Sequence, residues 1–166
     1  MSNLTDISDV IIIGSGPAGL SAAIYVVRAG LSVNVIEKEF MGTGQIADSS
    51  KVDNYLGIPA ISGYDLGESF REHALSLGVT IEDNNVTRLT PVDDIWELEL
   101  SDGSTKKARC VIYAAGCSHK KLQAENEEQY TGKGISYCAV CDGAFYKDKD
   151  VAVVGGGDTA LSDALD

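Results

Sequence analysis

The sequence predicts an α/β protein: a parallel sheet that also carries an antiparallel β-meander, followed by the beginning of a second unit of similar kind. Three observations predict it. A short apolar run ends in the glycine turn GSGPAG, Gly14 to Gly19, and leads into helical periodicity; the stretch Asn85 to Ala115 changes to alternation; and a second apolar run, Val151 to Val154, ends in a second glycine turn, GGGDTA, Gly155 to Ala160. Strands that alternate with helices call for a parallel sheet, and strands joined by tight turns call for antiparallel pairing.

Residues Asp9 to Ile13 read as the first strand. Ala18, Ala22 and Val26 then fall at helical spacing before Gly30, a residue suited to ending a helix, and Leu31 to Ile36 forms a second strand that ends at Glu37. This completes a βαβ unit of roughly 30 residues, whose strands run parallel. From Phe40 to Gly63 glycines, a proline and polar residues mark a long loop, of the kind that touches a ligand. A helix is expected over Asp65 to Leu77, with Leu66, Phe70, Ala74 and Leu77 on one face and Gly78 ending it. Ile95 to Leu100 alternates, Asp102-Gly103 is a hairpin turn, and Ala108 to Ala115 is strand-like. His119 to Tyr137 is a polar connection, Val151 to Val154 a short strand, and Thr159 to Leu165 the start of a helix. We expect a first domain over residues 1–118 and a second segment over 119–166.

Composition narrows the function. The 166 residues are 44% hydrophobic and 23% charged, an ordinary globular balance, and the net charge of -12 disfavours a surface that tracks phosphates, so no nucleic-acid partner is expected. The N-terminus MSNLTDISD is polar and acidic where a secretory signal starts basic, and the apolar runs fall well short of the roughly 20 residues of a membrane span. A cytoplasmic protein without membrane association is expected. Disulfides in that compartment are catalytic or sensing, so among the four cysteines the pair in CAVCDG, Cys138 and Cys141, stands out.

In the first glycine turn, Gly14 permits a tight turn, Gly16 allows a pyrophosphate close to the backbone, and Gly19 lets helix and strand pack closely. Glu37, at the end of the second strand, is placed to accept from ribose hydroxyls and would repel a 2′-phosphate, which favours FAD or NAD. A CxxC pair serves redox chemistry or zinc. Zinc needs about four ligands, and His73, His119, Cys110 and Cys117 offer no second pair at the right spacing, so no metal is expected. Cys110 and Cys117 read as buried small hydrophobes. Cys138 and Cys141 can close a small ring, and Asp142 is either an acid-base partner or a helix N-cap.

The ordered set GSGPAG, Gly44-Gln45-Ile46, Val52-Asp53-Asn54-Tyr55, Ala114-Ala115-Gly116, CAVCDG and GGGDTA resembles the N-terminal half of the low-molecular-weight thioredoxin reductases, flavoproteins among the pyridine nucleotide-disulfide oxidoreductases. The resemblance implies a Rossmann-like FAD-binding domain, lacking its C-terminal completion, followed by the CxxC segment and the start of a Rossmann-like NAD(P)-binding domain. It implies that Gly14, Ser15, Gly16, Pro17, Ala18 and Gly19 hold the FAD pyrophosphate, that Glu37, with Lys38 beside it, holds the adenosine ribose, and that Gly44, Gln45, Ile46 and Asn54 lie on the flavin side. Val86 would meet the adenine. Ala114, Ala115 and Gly116 would recross near the cofactor, with Ala115 in place of the family's threonine. Gly155, Gly157, Asp158, Thr159 and Ala160 would begin the site for NADPH.

By the same resemblance electrons pass from NADPH to FAD, then to the Cys138–Cys141 disulfide and on to thioredoxin or a similar dithiol protein. Cys141 would face the flavin, Cys138 attack the protein substrate, and Asp142 act as acid and base. The full-length protein would be a homodimer, and the present chain, with its nucleotide domain only begun, is expected to be inactive alone. Alternatives are a ferredoxin-linked flavin thioredoxin reductase, the reductase partner of a peroxiredoxin, or a non-catalytic flavin-binding fragment.

Overall fold

The structure, a computed structural model, describes residues 7–40 and 42–165. It divides into two compact units, Met1–Gly116 and Cys117–Asp166.

The first unit is a six-stranded mixed sheet: β1 (Ile7–Ile13), β2 (Val33–Glu37), β3 (Thr80–Asp83), β4 (Val86–Val92), β5 (Ile95–Leu100) and β6 (Thr105–Tyr113), in the order β3-β2-β1-β6-β5-β4. β1 pairs in parallel with β2 and β6, and β2 with β3, while β4, β5 and β6 form the antiparallel meander. The α/β class and the division into parallel sheet and meander are those the sequence predicts.

β1 is apolar on successive residues because it is covered on both faces, as parallel strands are. Val10, Ile12 and Val35 pack with Leu20 and Ala23 of α1 (Pro17–Arg28) and Ala74 of α2 (Gly63–Ser76). On the other face Ile11 and Ile36 pack with Leu98, Leu100 and Ala108 of the meander. Each fully buried Leu, Ile or Val among them contributes about 1.5–3 kcal/mol.

Several elements differ from expectation, each for a physical reason. In α1, Ala18 is exposed and the inward residues are Gly19, Leu20 and Ala23. A Cβ on Gly19 would overlap the Gly14 carbonyl, so Gly19 must face the turn, and that sets the rotation of the helix. β2 begins at Val33 because the Leu31 N–H donates to the Val26 carbonyl, leaving Leu31 in the closing turn of α1 and exposed. α2 starts at Gly63. The Ser62 hydroxyl accepts from the Asp65 N–H and donates to the Asp65 carboxylate at 2.6 Å, a reciprocal cap. Leu77 leaves the helix face to become its C-cap. β3 went unpredicted, and β6 runs Thr105–Tyr113 rather than Ala108 to Ala115. Cys110 on β6 is exposed, not buried, because α1 lies over β1 and β2.

In the second unit, residues 119–137 are more than a polar connection. The buried Glu127, first residue of α3 (Glu127–Tyr130), accepts from the Leu122 N–H at 3.2 Å, the Gln123 N–H at 2.6 Å and the Tyr137 hydroxyl. The Tyr137 hydroxyl, helped by those N–H groups, holds the Glu127 carboxyl below its ordinary value against the cost of burial. His119 stacks on Tyr137 with ring centroids 3.7 Å apart. After α4 (Ala139–Asp142) comes a 3-10 turn over Gly143–Tyr146, and after Gly157 comes α5 (Asp158–Asp163). The expected strand at Val151 to Val154 is not formed: Val151, Val153 and Val154 are exposed and have no strand to pair with among the described residues. Cys117, also expected to be buried, is exposed in the irregular stretch after the meander.

Leu66 of α2 is fully buried, so Leu66→Ala is expected to destabilise the chain by about 2–5 kcal/mol. A urea titration followed by circular dichroism checks this; an unchanged midpoint would refute the packing described.

Candidate functional site

The first glycine turn sits at the C-terminal ends of β1, β2 and β6, where Ile13 is in register with Ile36 and Tyr113. Gly14, with φ of +102°, turns the chain, and its N–H donates to the Ile36 carbonyl at 2.8 Å. Gly16 is extended and Pro17 occupies the first helical position, where its missing N–H costs nothing. The Ala114 N–H donates to the Ile13 carbonyl at 2.8 Å, and the Ala114 carbonyl lies against Gly14 where a Cβ would have to go. The segment Ala114, Ala115 and Gly116 thus passes directly beside the turn.

Glu37 is buried at the tip of β2. Its Oε2 accepts from the Ser15 N–H at 2.7 Å and from the Ser15 hydroxyl at 2.9 Å, and its Oε1 accepts from the Glu39 N–H at 3.0 Å. Burial pushes its pKa up, but hydrogen bonds from the Ser15, Glu39 and Lys38 N–H groups and the Ser15 hydroxyl outweigh it and hold the carboxyl below its ordinary value. The Ser15 hydroxyl also reaches the Gly42 carbonyl, tying the loop to the turn. The Lys38 side chain is exposed beside Glu39.

The loop after β2 folds back on this turn. Gly44, with φ of +79°, brings its backbone against Gly16. Gln45 and Ile46 begin a 3-10 turn over Gln45–Asp48, and the Ile46 carbonyl packs against Gly63 so closely that no Cβ fits there. Asn54 is exposed in the loop after Val52, which forms a bridge to Ile61. Val86 and Ile13, the residue before Gly14, line a shallow cleft of about 140 Å³ with Thr87, Arg88, Leu89 and Tyr113. The structure therefore gathers Gly14 to Gly19, Glu37, Gly44, Ala114 and Val86 around one strand end. Thr43, which sequence reasoning missed, is buried with its side chain against Gly67 of α2. Its signal was a small β-branched residue between two glycines in a polar loop.

In the second unit Cys138 and Cys141 form a disulfide, with Cα atoms 5.3 Å apart. Cys138 is the N-cap of α4, and its Sγ accepts from the Cys141 N–H at 3.2 Å. Cys138 is half-buried and Cys141 exposed. Asp142 occupies the N-cap position of the following 3-10 turn without a side-chain capping bond. Its Oδ2 instead accepts from the Ser136 hydroxyl at 2.7 Å. Ser136 was not singled out from sequence.

The second glycine turn resembles the first at two glycines. Gly155 has φ of +140°, and Gly157 is extended (φ −91°, ψ 177°), as Gly16 is (φ −64°, ψ 175°), with a helix starting at the next residue in both. Ala160 packs its Cβ toward Gly155, Asp158 opens α5, and Thr159 is exposed. Among the described residues no group of three or more His, Cys, Asp and Glu is arranged to hold a metal ion, and no helix is long and apolar enough to cross a membrane.

The sequence pattern of the pyridine nucleotide-disulphide oxidoreductases matches residues 8–165. A thioredoxin reductase of Bacillus subtilis (strain 168) is 44% identical over 161 residues, covering 96% of this chain and 50% of that protein. The crystal structure of a thioredoxin reductase from Streptococcus pyogenes MGAS5005 superposes with a TM-score of 0.87 at 39% identity, over 96% of this chain and 52% of that one. A structure described as a ferredoxin-flavin thioredoxin reductase from Clostridium acetobutylicum superposes with a TM-score of 0.65 at 36% identity, over 96% and 54%. The chain spans about half the length of the curated relatives it matches.

Because its folded-state pKa lies below the ordinary value of 4.5, Glu37 contributes stability that is present above about pH 4.5 and is lost as pH falls through the folded value. Glu37→Gln is therefore expected to be less stable than the parent at pH 7, with a gap that narrows as the pH is lowered below 4.5. Thermal denaturation of both proteins between pH 3 and 7 measures the gap; a constant difference would show that the charge contributes nothing.

Proposed function

The chain belongs to the pyridine nucleotide-disulphide oxidoreductase family, and from that premise we propose that it supplies the flavin-binding and disulfide-bearing part of a thioredoxin-disulfide reductase. That enzyme takes electrons from NADPH through FAD to the Cys138–Cys141 disulfide and delivers them to thioredoxin or a similar protein. The observation that carries the reading is the disulfide itself, closed across one helical turn with Asp142 tethered beside it.

The residues of the first turn suit a dinucleotide. A Cβ placed on Gly16 would touch the Gly44 backbone at 3.8 Å, an ordinary contact, and the unpaired N–H groups of the first turn of α1 are of the kind that bind a pyrophosphate. Gly14, Ser15, Gly16, Pro17, Ala18 and Gly19 would hold the pyrophosphate, Glu37 and Lys38 the ribose, Val86 the adenine, and Gly44, Gln45, Ile46 and Asn54 the flavin end, with Ala114, Ala115 and Gly116 alongside. Gly155, Gly157, Asp158, Thr159 and Ala160 would meet the nicotinamide nucleotide. Bound FAD supplies the exchange of an electron pair between nicotinamide and thiols. Residues 1–118 form the flavin domain in this reading, and 119–166 the redox segment with the start of the nucleotide domain.

Two electrons and two protons convert the disulfide to a dithiol. Cys138 then attacks the substrate disulfide as a thiolate, stabilised by the Cys141 N–H that already reaches its sulfur. This forms a mixed disulfide, which Cys141 displaces; the Cys138–Cys141 bond is restored and the substrate leaves reduced. Asp142 gives and takes the proton. Cys141 is the sulfur that faces the flavin. We place the protein in the cytoplasm, where the exposed Cys110 and Cys117 stay reduced, and the full-length enzyme as a homodimer. A second reading, electron supply by ferredoxin, is favoured by the likeness to the Clostridium acetobutylicum structure; the well-formed Gly155 turn counts for a nucleotide donor.

Residues 1–166 supplied with FAD are expected to show the bound oxidised-flavin spectrum and, after dithionite, two further titratable thiols on the Gly134 to Lys147 peptide. A protein that retains no flavin, or that holds zinc at Cys138 and Cys141, would overturn the proposal. With Val151 to Val154 exposed and unpaired, these residues are not expected to sustain NADPH-dependent reduction of a disulfide. A coupled NADPH absorbance assay would reveal steady turnover if that expectation is wrong.

A further inference from the structure

The Ser136 hydroxyl has one proton to donate and two acceptors in reach. Asp142 Oδ2 lies at 2.7 Å and the Cys138 carbonyl at 3.2 Å, while the hydroxyl oxygen itself accepts from the Cys138 N–H at 3.2 Å. The shorter bond takes the proton while Asp142 is ionised, because a hydrogen bond to a carboxylate is the stronger one. Once Asp142 is protonated, the direction reverses: the carboxyl donates to the Ser136 oxygen, and the hydroxyl proton turns to the Cys138 carbonyl. The oxygen has two lone pairs, so the bond from the Cys138 N–H survives in both arrangements. A backbone amide could serve only the ionised form, and a lysine would pair with it permanently. A hydroxyl serves both.

We propose that Ser136 is a positioning residue that holds Asp142 in one place through both protonation states, by reversing the direction of a single hydrogen bond. The proposal rests on the reading of Asp142 as the acid and base of the Cys138–Cys141 pair. The geometry ties the parts together: Ser136 is anchored to the backbone of Cys138, and the Asp142 N–H donates to the Cys138 carbonyl at 3.0 Å. Serine, cysteine and carboxylate are therefore linked through one short stretch of backbone.

The test is reduction of the disulfide in the full 166-residue chain by dithiothreitol. A dithiothreitol thiolate attacks one sulfur and forms a mixed disulfide; the Cys138–Cys141 bond breaks and the departing sulfur takes a proton from Asp142. The second dithiothreitol thiol then closes its ring and releases the other cysteine. The rate is followed by acid quench and alkylation of the Gly134 to Lys147 peptide, from pH 4 to 9, after division by the thiolate fraction of the reagent. The parent rate so corrected is expected to be highest on the acid side, where the carboxyl has a proton to give. Ser136→Ala is expected to slow the reaction about tenfold there, the loss being that of one hydrogen bond. Ser136→Thr, which keeps the hydroxyl, is expected to restore the rate. In an Asp142→Asn background, Ser136→Ala is expected to change nothing further. Should Asp142→Asn flatten the profile while Ser136→Ala leaves it in place, or slow it equally in both backgrounds, the role of Ser136 is refuted and that of Asp142 stands. Should Asp142→Asn itself leave the profile unchanged, both fall.

Discussion

The first unit depends on how closely α1 approaches the end of β1. Gly19 lies against the Gly14 carbonyl with no room for a methyl group between them. That single contact decides which way the helix is rotated. It sends Leu20 and Ala23 into the core and leaves Ala18 outside, and it aims the first turn of the helix at the space beyond the strand ends. Ser15 is carried with the turn and delivers its N–H and hydroxyl to Glu37. The Ala114 carbonyl completes the arrangement by filling the opposite side of Gly14. Loosening this approach by the width of one carbon would disperse the whole group.

Glu37 shows how a charge is kept in such a place. A buried carboxylate is costly unless its oxygens are supplied with donors. Here the donors are mostly backbone N–H groups of the turn and of the chain just after β2, so the fold that positions the carboxylate also neutralises its cost. The same economy recurs at Glu127, whose carboxylate collects two N–H groups and a tyrosine hydroxyl from a stretch that would otherwise have no regular structure. In both units a buried carboxylate organises irregular backbone.

Much of this was legible from sequence because it is local. The two glycine turns, the Asp102-Gly103 hairpin and the CxxC pair are each specified within a few residues, and each glycine turn places an extended glycine directly before a helix. What escaped depends on contacts that residue types alone do not announce. The rotation of α1 depends on Gly14, and the cap of α2, Ser62, lies four residues before its apolar periodicity begins at Leu66. β3 is four residues long, too short for alternation to register. Thr43 and Ser136 look like ordinary loop residues until Gly67 and Asp142 are beside them. Val151 to Val154 has the apolar character of a strand, and a strand needs a neighbour to pair with.

The contact between Gly63 and the Ile46 carbonyl has a consequence for how such a chain can change over generations. Both sides of it are main chain, so neither side can be trimmed by exchanging one amino acid for another. A crowded pair of side chains can be relieved by shrinking the partner, and a lineage can wander through such pairs in two tolerable steps. A main-chain contact offers no second step. Position 63 is therefore fixed by its neighbour's geometry rather than by its neighbour's identity, and the loop it supports can diverge in sequence while its path stays the same.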